Sequence, residues 1–503
     1  MEADVVVVAA GASGITAAVA AAEKDASVIV FEKGSTTGGA ASMGMGFFAV
    51  ESKHQKAQMV DLTIEEAFRV FMEYNHWQVD ARLVRKYFAQ SASTVEWIEG
   101  MGVEFLGAYK YFEKSYPTWH IVKAPGANRP SERAASNIYK ALTDRAGELG
   151  VKIRFQTAVK KILTDPKTRR VVGVLAQDAT GNEITCECDA LIVCTGGFGD
   201  NPPMIKEHLG FEWGKDLFSF RIPGLVGDGL KMMWEIGGGR TPVNMEMTYN
   251  SPGVTDIFKT LSETMRQPNL LVNLDGKRFM NEVVMQNTTF TGNAIAHQRD
   301  RKAFSIITDE ILDDYRKKGL DFITVHHNIK TVEKWDSELQ TYLSGGTAEA
   351  SGLSDLHAGE QAEKILFVAD TVEDLCRQTG IDAKGLAATI EQYNVGAGGR
   401  DGEFDKHPRY MRAIRGKRFY AAAHRPCGYG TLGGIKTNDN LQVLTEDGRV
   451  IPGLYSAGTD ACNIFSDSYC FIMPGNTMGW AINSGRMAGY NAVAYIDSDE
   501  FVE

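Results

Sequence analysis

Residues 5–32 read VVVVAAGASGITAAVAAAEKDASVIVFE and contain two apolar runs separated by a glycine turn and a small-residue segment. The first run, residues 5–8, is continuously apolar, which is typical of a strand buried on both faces of a parallel sheet. The second run ends at Glu32, 18 residues after Gly14. Strand, glycine turn, helix, strand and acid in this order predict a nucleotide-binding βαβ unit, in which the acid accepts a hydrogen bond from a ribose hydroxyl.

The glycine fingerprint of this unit is incomplete. In the pattern G-x-G-x-x-G the first position is Ala9, whereas Gly11 and Gly14 occupy the other two. The first glycine of the pattern serves the tight turn, and the other two serve approach to the pyrophosphate and close packing of helix on strand. We therefore expect a dinucleotide turn that is distorted at Ala9.

The composition is that of a globular protein with an excess of glycine. The chain has 503 residues, of which 44% are hydrophobic, 14 are proline and 52 are glycine. An average usage of about 7% would give roughly 35 glycines, and we attribute the surplus of about 17 to turns that approach a dinucleotide. A chain of this length predicts two domains, or one domain with an insertion.

Charge and cysteine patterns exclude several classes of function. The net charge is −11 and neither sign forms a long block, which argues against nucleic acid as a partner. The seven cysteines form no C-x-x-C, so the sequence predicts no metal, iron–sulfur or covalent haem site.

The sequence also has no apolar run near the roughly 20 residues that span a bilayer. With no charged leader at its start, the chain is predicted to be cytoplasmic, or extracytoplasmic if a leader had been removed.

The pattern of elements changes twice along the chain. Residues 246–434 carry more charge and fewer glycine turns than the rest, which predicts a domain inserted between residues 1–245 and 435–503. Within the first part, the aromatic and glycine-rich segment 105–130 is predicted to be a loop. The chain is predicted to close on a small-residue helix over residues 478–493.

Several short motifs occur in the order found in one known family. The chain resembles the flavoprotein family that contains the fumarate and succinate enzymes, urocanate reductase and 3-ketosteroid 1-dehydrogenases, and the resemblance covers nearly the whole length. It implies an α/β fold, with a Rossmann-like FAD-binding domain and an inserted α+β capping domain that binds substrate. The motifs are EK at 32–33, GGAAS at 38–42, TAV at 157–159, TGGF at 195–198, GDG at 227–229, NLDGKRFMNE at 273–282, GLYSAG at 453–458 and GNTMG at 475–479.

The same resemblance implies FAD as the cofactor. Residues 38–46 contain no histidine where covalent members carry a flavin-linking one, so we expect FAD to be bound without a covalent bond. The residues implied in FAD binding are Gly11, Ala12, Ser13, Gly14, Glu32, Lys33, Gly38, Gly39, Ala40, Ser42, Gly44, Val159, Thr195, Gly196, Gly197, Asp228, Gly458, Asn476, Thr477 and Met478.

The substrate positions differ from those of the dicarboxylate reductases in this family. Of their two histidines and two arginines, three fall here at Ser251, Gln286 and Gly430, and the second arginine falls near Ile472. A doubly charged substrate held by bidentate arginines is therefore not expected, which argues against fumarate and succinate. The ketosteroid dehydrogenases bind the substrate ketone with a tyrosine and a glycine N–H. Here Phe471 stands at the tyrosine position.

The candidate catalytic groups are a pair of oppositely charged side chains, a backbone N–H and several tyrosines. Glu263 and Arg266 match the family's proton-relay pair, although an exposed helix salt bridge at this spacing is the alternative. Gly475 keeps the backbone N–H that would stabilise an enolate. Tyr469 lies two residues before Phe471, on the same face if the chain is extended. The candidate proton donors are Tyr469, Tyr429 and Tyr116.

Further aromatic residues are candidates for the substrate site, although each could instead pack in a core. The aromatic residues that we expect to gather at the substrate site are Tyr109, Tyr111, Phe112, Tyr116, Trp119, Tyr249 and Tyr429, each of which could instead fill a core. Structural or surface roles are expected for His120, His326 and His327, because the sequence places no carboxylate beside them.

Together these features predict an FAD-dependent oxidoreductase acting on CH–CH groups. It would reduce a C=C bond conjugated to a carbonyl, in an enone or enoate, on an uncharged and aromatic or polycyclic substrate. The alternatives are the reverse, ketosteroid-like desaturation, and a flavin carrier subunit of a larger complex. Since the sequence encodes no haem, cluster or FMN site, electrons are expected from an external donor.

Overall fold

The computed structural model of the protein describes residues 1–130, 133–219, 222–251, 258–325, 328–345 and 364–498, and forms two compact units. Unit 1 comprises Met1–Met204, Ile222–Met245 and Gly430–Glu503, and unit 2 comprises Ile205–Arg221 and Glu246–Tyr429. Among the described residues, no helix has the length and hydropathy needed to cross a membrane.

The described helices are α1 (Ala12–Ala22), α2 (Lys53–Ala57), α3 (Ile64–Tyr74), α4 (Ala81–Gly100), α5 (Ser136–Glu148), α6 (Pro202–Leu209), α7 (Asp228–Glu235), α8 (Lys259–Met265), α9 (Thr288–Ala296), α10 (Asp309–Lys318), α11 (Trp335–Leu343), α12 (Val372–Thr379), α13 (Ala383–Ala397) and α14 (Asn476–Ile496). The described strands are β1 (Glu2–Val8), β2 (Val28–Phe31), β3 (Gly46–Phe48), β4 (Phe105–Tyr109), β5 (Trp119–Val122), β6 (Lys152–Arg154), β7 (Thr157–Thr164), β8 (Val171–Asp178), β9 (Glu183–Val193), β10 (Phe218–Ser219), β11 (Asn244–Asn250), β12 (Leu270–Asn273), β13 (Ala303–Thr308), β14 (Leu366–Ala369), β15 (Phe419–Leu432), β16 (Gln442–Leu444) and β17 (Val450–Ser456).

Unit 1 is built on a mostly parallel sheet with β1 at its centre. The strand order is β16-β17-β9-β1-β2-β6, and β1 pairs in parallel with both β2 and β9. Strands β7 and β8 add an antiparallel extension through β9. Because β1 has neighbours on both edges and covered faces, its four valines are buried, as the continuous apolar run predicts.

The small residues of α1 and α14 let the two helices pack at short range. A Cβ on Gly485 would lie 2.3 Å from the carbonyl oxygen of Ser13, and one on Gly489 would lie 2.4 Å from that of Ala17. Neither position accepts a side chain without moving backbone. These glycines therefore serve helix packing, and the attribution of the glycine surplus to cofactor turns alone was incomplete.

The segment 105–130 is not a continuous loop, contrary to the prediction. It contains β4 and β5, which form an antiparallel three-stranded sheet with β3 in the order β3-β5-β4. His120 on β5 is fully buried and fixed by Ser52, whose hydroxyl lies 2.6 Å from its Nε2. It therefore has the structural role expected of it, while His326 and His327 lie outside the described residues.

Unit 2 combines a second sheet with helices. Strands β10, β15, β13 and β12 are neighbours in that order, and β11 and β14 also pair with β15. The long strand β15 is antiparallel to β13 and β14, so its alanines 421–423 lie in the middle of the unit's core. The mixture of helices and antiparallel strands is the α+β composition expected of a capping domain.

The motif at 273–282 forms a buried ionic network in unit 2. The guanidinium of Arg278 makes two hydrogen bonds of 2.8 Å to Glu282, and further bonds of 2.8 and 3.0 Å to Asp401. Lys406, also buried, lies 3.3 Å from Glu282 and donates to the hydroxyl of Tyr393. A third anion, the partly exposed Glu403, lies 3.5 Å from Arg278. Each buried charge of the network thus has an opposite partner, which is the condition under which buried charges are tolerated. The charged residues of the motif at 273–282 therefore have a role in the folding of unit 2.

Candidate FAD site and substrate site

The turn after β1 has the distortion expected at Ala9. Ala9 adopts a left-handed conformation with φ of 77°, which costs a residue with a Cβ about 1–2 kcal/mol. Position 14 accepts only glycine, because a Cβ there would lie 1.9 Å from the carbonyl oxygen of Ala9. An added Cβ at Gly11 would meet no atom within 4 Å, so the space in front of the turn is open.

The helix that follows the turn presents backbone donors to this open space. The first intrahelical hydrogen bond of α1 is donated by Ile15 to the carbonyl of Gly11, so the amides of residues 12–14 precede the helical ladder. Such amides, with the positive end of the helix dipole, suit a phosphate. The open space at Gly11, the close packing at Gly14 and the backbone N–H donors of residues 12–14 together fit the pyrophosphate of a dinucleotide.

Two further predicted cofactor segments lie beside this turn. The carboxylate of Glu32 accepts a 2.7 Å bond from the N–H of Ala10 and a 2.6 Å bond from that of Gly34. The N–H of Gly38 donates to the carbonyl of Ala10 over 2.9 Å. Residues that are distant in sequence thus surround one turn, and Glu32 is fixed at its edge, where an acceptor for ribose hydroxyls belongs.

Lys33 and Asp228, both predicted to bind the cofactor, contact each other. Their charged groups are 2.8 Å apart and both side chains are about two-fifths exposed. The pair joins the end of β2 to the start of α7, which begins at the G-D-G motif. Val159, in β7, is buried in the same unit.

Sequence reasoning missed Asp460, a fully buried residue that contacts the T-G-G turn. Its carboxylate accepts backbone bonds from Thr195 at 2.6 Å and from Gly197 at 2.7 Å. Burial raises the pKa of Asp460, while the hydrogen bonds from Thr195 and Gly197 oppose that shift. The segment T-D-A-C around it matches no motif, so the only signal was an acid in an otherwise apolar and small stretch.

The N-terminus of α14 brings together Gly475, Asn476 and Tyr469. Gly475 has φ of 89°, and its carbonyl accepts from the N–H of Phe48. The N–H of Asn476 donates to the hydroxyl of Tyr469 over 3.0 Å. Tyr469 is buried, and the chain turns between Tyr469 and Phe471, where the N–H of Phe471 donates to the carbonyl of Tyr469, so this stretch is not extended.

Four aromatic side chains, which we call the aromatic wall, cluster near this helix end. The wall consists of Tyr111, Phe112, Trp119 and Phe471. The rings of Tyr111 and Phe471 are 4.6 Å apart, and Phe112 stacks on Phe471 at 5.9 Å. Trp119 lies 5.7 Å from Tyr111 and would be 2.7 Å from a Cβ on Gly475. The wall thus adjoins the glycine predicted to polarise the substrate.

Tyr116 and Ile472, also predicted site residues, lie next to the wall. The N–H of Tyr116 donates to the carbonyl of Ile472 over 2.7 Å, and both side chains are half-buried. Tyr109, on β4, is partly buried, which raises the pKa of its hydroxyl. Unit 1 therefore collects the aromatic residues expected from the segment 105–130.

In unit 2 the predicted relay pair is buried and not exposed. The charged groups of Glu263 and Arg266 are 3.6 Å apart, and their side chains are 6% and 13% exposed. The guanidinium of Arg266 lies 4.9 Å from the ring centre of Tyr249, whose hydroxyl donates to the carbonyl of Met285 over 3.4 Å. Met285 precedes Gln286, so the relay pair and the Gln286 turn are linked through Tyr249.

Ser251 belongs to a second buried polar group in unit 2. Its hydroxyl donates to the carbonyl of Ala423 over 2.8 Å and lies 3.1 Å from Nδ1 of His424. The other ring nitrogen of His424 is 2.8 Å from the hydroxyl of Ser305. Burial, and then the charge of Arg266, lower the pKa of His424 to about 3, so this imidazole is neutral at physiological pH. No motif in the sequence points to His424.

The predicted site residues divide between the two units. Tyr469, Tyr116, Gly475, Gly430, Phe471, Ile472 and all the implied FAD-binding residues belong to unit 1. Glu263, Arg266, Ser251, Gln286 and Tyr429 belong to unit 2, in which Tyr429 is 47% exposed. The described residues contain no group of His, Cys, Asp and Glu placed to hold a metal ion.

Over residues 4–470 the sequence matches the family described as FAD binding domain. The chain belongs to this flavoprotein family. It is 31% identical over 509 residues to vinyl phenol reductase of Lactiplantibacillus plantarum, covering 99% of this chain and 98% of that protein. It is 27% identical over 508 residues to urocanate reductase of Eggerthella lenta, covering 98% of this chain and 74% of that protein.

A solved structure shows the shared fold of this flavoprotein. The 3-ketosteroid Δ1-dehydrogenase from Sterolibacterium denitrificans matches with a TM-score of 0.74 and 18% identity, covering 98% of this chain and 100% of that one. The predicted family and fold class are therefore confirmed. The protein is an FAD-dependent oxidoreductase of a family that acts on carbon–carbon double bonds.

Proposed function

We propose that this flavoprotein reduces a C=C bond conjugated to a carbonyl, in an uncharged aromatic substrate, with FAD bound without a covalent link. The observation that carries the proposal is the aromatic wall beside Gly475. Half-buried aromatic faces bind planar apolar rings and give no counter-charge to a dianion. The neutral residues at the four substrate positions, Ser251, Gln286, Gly430 and Ile472, agree with this preference.

The residues of the chain orient and polarise the substrate in this account. Bound FAD would supply the hydride. The aromatic wall would hold the ring of the substrate, and the N–H of Gly475 would donate to the carbonyl oxygen as negative charge develops there. Tyr469 would deliver the proton to the α-carbon, since its hydroxyl is fixed at the same helix end. The Glu263–Arg266 pair is the alternative proton source.

The arginine of the predicted relay pair, Arg266, does not change the preference for an uncharged substrate. The guanidinium of Arg266 is largely buried between Glu263 and the ring of Tyr249. Its charge is compensated within unit 2. An anionic substrate would therefore have to compete with Glu263 for this cation.

A second candidate substrate carries its double bond on a phenol and has no carbonyl. The relative at 31% identity is named for vinyl phenol, which is aromatic and uncharged at neutral pH. In such a compound the ring conjugates with the double bond, and the aromatic wall would bind it in the same way. The two candidates differ in whether the N–H of Gly475 faces a carbonyl or a phenol oxygen.

A substrate panel under anaerobic conditions tests the proposal. The electron source is reduced methyl viologen, because the donor of this protein is expected to be external. The panel holds an aromatic enone, methyl cinnamate, 4-vinylphenol and fumarate, and viologen oxidation is the readout. We expect turnover of one or more of the three uncharged compounds and little turnover of fumarate. Turnover of fumarate alone would overturn the proposed substrate class.

A further inference from the structure

Asp460 occupies the centre of the cofactor-binding unit. Both oxygens of its carboxylate are used: one accepts from the N–H and hydroxyl of Thr195, at 2.6 and 2.8 Å, and from the N–H of Gly196 at 3.3 Å. The other accepts from the N–H of Gly197 at 2.7 Å. The residue is 0% exposed. Three successive amides of one turn thus converge on a single buried anion.

The T-G-G turn needs such an anion to keep its shape. Gly196 and Gly197 both have positive φ, of 85° and 78°, and the amides of residues 195–197 all point to the carboxylate of Asp460. Consecutive amides directed this way form a concave anion-binding site. Because Asp460 fills that site, these amides are not free for a phosphate of FAD, and the donors at the start of α1 are left for that task.

The contacts of Asp460 extend to other predicted cofactor segments. The hydroxyl of Thr195, which donates to Asp460, accepts from the N–H of Gly229 over 3.2 Å. The carbonyl of Gly197 accepts from the N–H of Gly227 over 3.0 Å. Asp460 itself follows Gly458, whose N–H donates to the hydroxyl of Ser484 on α14. One carboxylate therefore ties together segments near residues 195, 228 and 458.

We propose that Asp460 is a positioning residue for FAD: it acts as an internal anion that holds the T-G-G turn and its two neighbouring segments in the shape that the cofactor binds. The glycines of the turn cannot hold this shape alone, since unpaired they have the widest choice of conformations. Loss of the carboxylate leaves three amides of the turn, of which that of Gly197 is buried, without this acceptor, and the turn then relaxes away from the binding shape.

The test compares FAD affinity with the stability of the apoprotein. Asp460→Asn replaces one accepting oxygen with a donor that faces amide donors. The milder Thr195→Val removes only the hydroxyl that links Asp460 to Gly229. Asp447→Asn is the matched control, because Asp447 undergoes the same chemical change but is 60% exposed and pairs with Arg449. The Kd of FAD is measured by fluorescence quenching on titration of apoprotein, with circular dichroism of the bound flavin at saturation.

We expect Asp460→Asn to raise the Kd of FAD about tenfold or more and to alter the dichroism of the bound flavin. Thr195→Val should raise the Kd by a smaller factor, and Asp447→Asn should leave it within about twofold. If Asp460→Asn does not fold, Thr195→Val carries the test by itself. A lower melting temperature of the apoprotein, with unchanged Kd and dichroism in the variants that fold, would overturn the proposal and leave Asp460 a purely structural role.

Discussion

The N–H of Asn476, the first residue of α14, donates to the hydroxyl oxygen of Tyr469 over 3.0 Å. Since that oxygen accepts one bond, the proton of the hydroxyl is directed elsewhere, and the helix end favours negative charge on the oxygen. Gly475, the residue that would polarise the substrate, adjoins Asn476. The proposed proton donor and the proposed polarising N–H are thereby held at one helix terminus.

Tyr469→Phe should lower kcat about 100-fold with a small change in KM, because positioned acid–base groups contribute about 10² to 10⁴ in rate. Steady-state kinetics with reduced viologen measures this. Tyr490→Phe is the matched control, since it removes a phenol hydroxyl from α14 that contacts Glu23 and has no proposed role in the reaction. An unchanged kcat for Tyr469→Phe, together with a large loss in Glu263→Gln or Tyr429→Phe, would move the proton donor to unit 2.

The turn after β1 gives a pair of opposite predictions. Ala9→Gly should raise the free energy of unfolding by about 1 kcal/mol, because glycine adopts the observed φ of 77° without a steric cost. Gly14→Ala should weaken both folding and FAD binding, since its Cβ would lie 1.9 Å from the carbonyl oxygen of Ala9. Thermal unfolding and FAD titration measure both. A destabilised Ala9→Gly would contradict this account of the turn.

The buried network of unit 2 should be sensitive to removal of one partner. Arg278→Ala leaves Asp401 without its buried counter-charge and Glu282 with Lys406 alone, and should cost about 3–5 kcal/mol in unfolding free energy. Arg449→Ala, which breaks an exposed pair with Asp447, should cost less than about 1 kcal/mol. Urea denaturation compares the two variants. Equal costs would show that burial of the Arg278 network does not matter for stability.

Acid stability should reflect two buried neutral histidines. Burial lowers the pKa of His424 to about 3 and that of His120 to about 4, against about 6.5 in the unfolded chain. As the pH falls below 6.5, the unfolded chain takes up protons that the folded protein does not. Stability from these groups is therefore fully present above pH 6.5, and falls by about 1.4 kcal/mol per pH unit for each histidine towards pH 4.

Urea denaturation of His424→Asn between pH 4.5 and 7.5 isolates one of these groups. The slope of unfolding free energy against pH should decrease by about one proton relative to the parent. The control is His76→Asn, which makes the same chemical change at an exposed position. An unchanged slope in His424→Asn would show that folding does not lower the pKa of His424.

The local sequence pattern was sufficient to predict the first βαβ unit, but it was not sufficient to predict the strands β4 and β5. The run at residues 5–8 is apolar because β1 is covered on both faces, so the pattern has one explanation. Residues 105–122 carry glycine, proline and aromatic residues without alternation. The central strand β5 pairs with β4 on one edge and with β3 on the other, where Phe48 lies opposite Trp119 although the two are 71 residues apart in sequence. Such long-range pairing has no local signal.

The candidate site, too, could be predicted from the sequence only in part. Spacing identified Glu263 and Arg266 as a pair, but an i,i+3 pair has the same spacing on a buried helix as on an exposed one. Asp460 had no spacing signal, since its partners Thr195 and Gly197 lie more than 260 residues earlier. His424 likewise depends on Ser251 and Ser305, which only the fold brings to it.

The preference for an uncharged substrate is tested most directly by a pair of compounds that differ in charge and share one aromatic ring. Methyl cinnamate and cinnamate are compared by kcat/KM, anaerobically and with reduced viologen, and fumarate serves as the dianionic reference. The aromatic wall and the neutral substrate positions predict that the ester exceeds cinnamate by about tenfold or more, and that fumarate is the poorest of the three. Cinnamate reduced as efficiently as the ester, or efficient reduction of fumarate with neither aromatic compound reduced, would contradict the account.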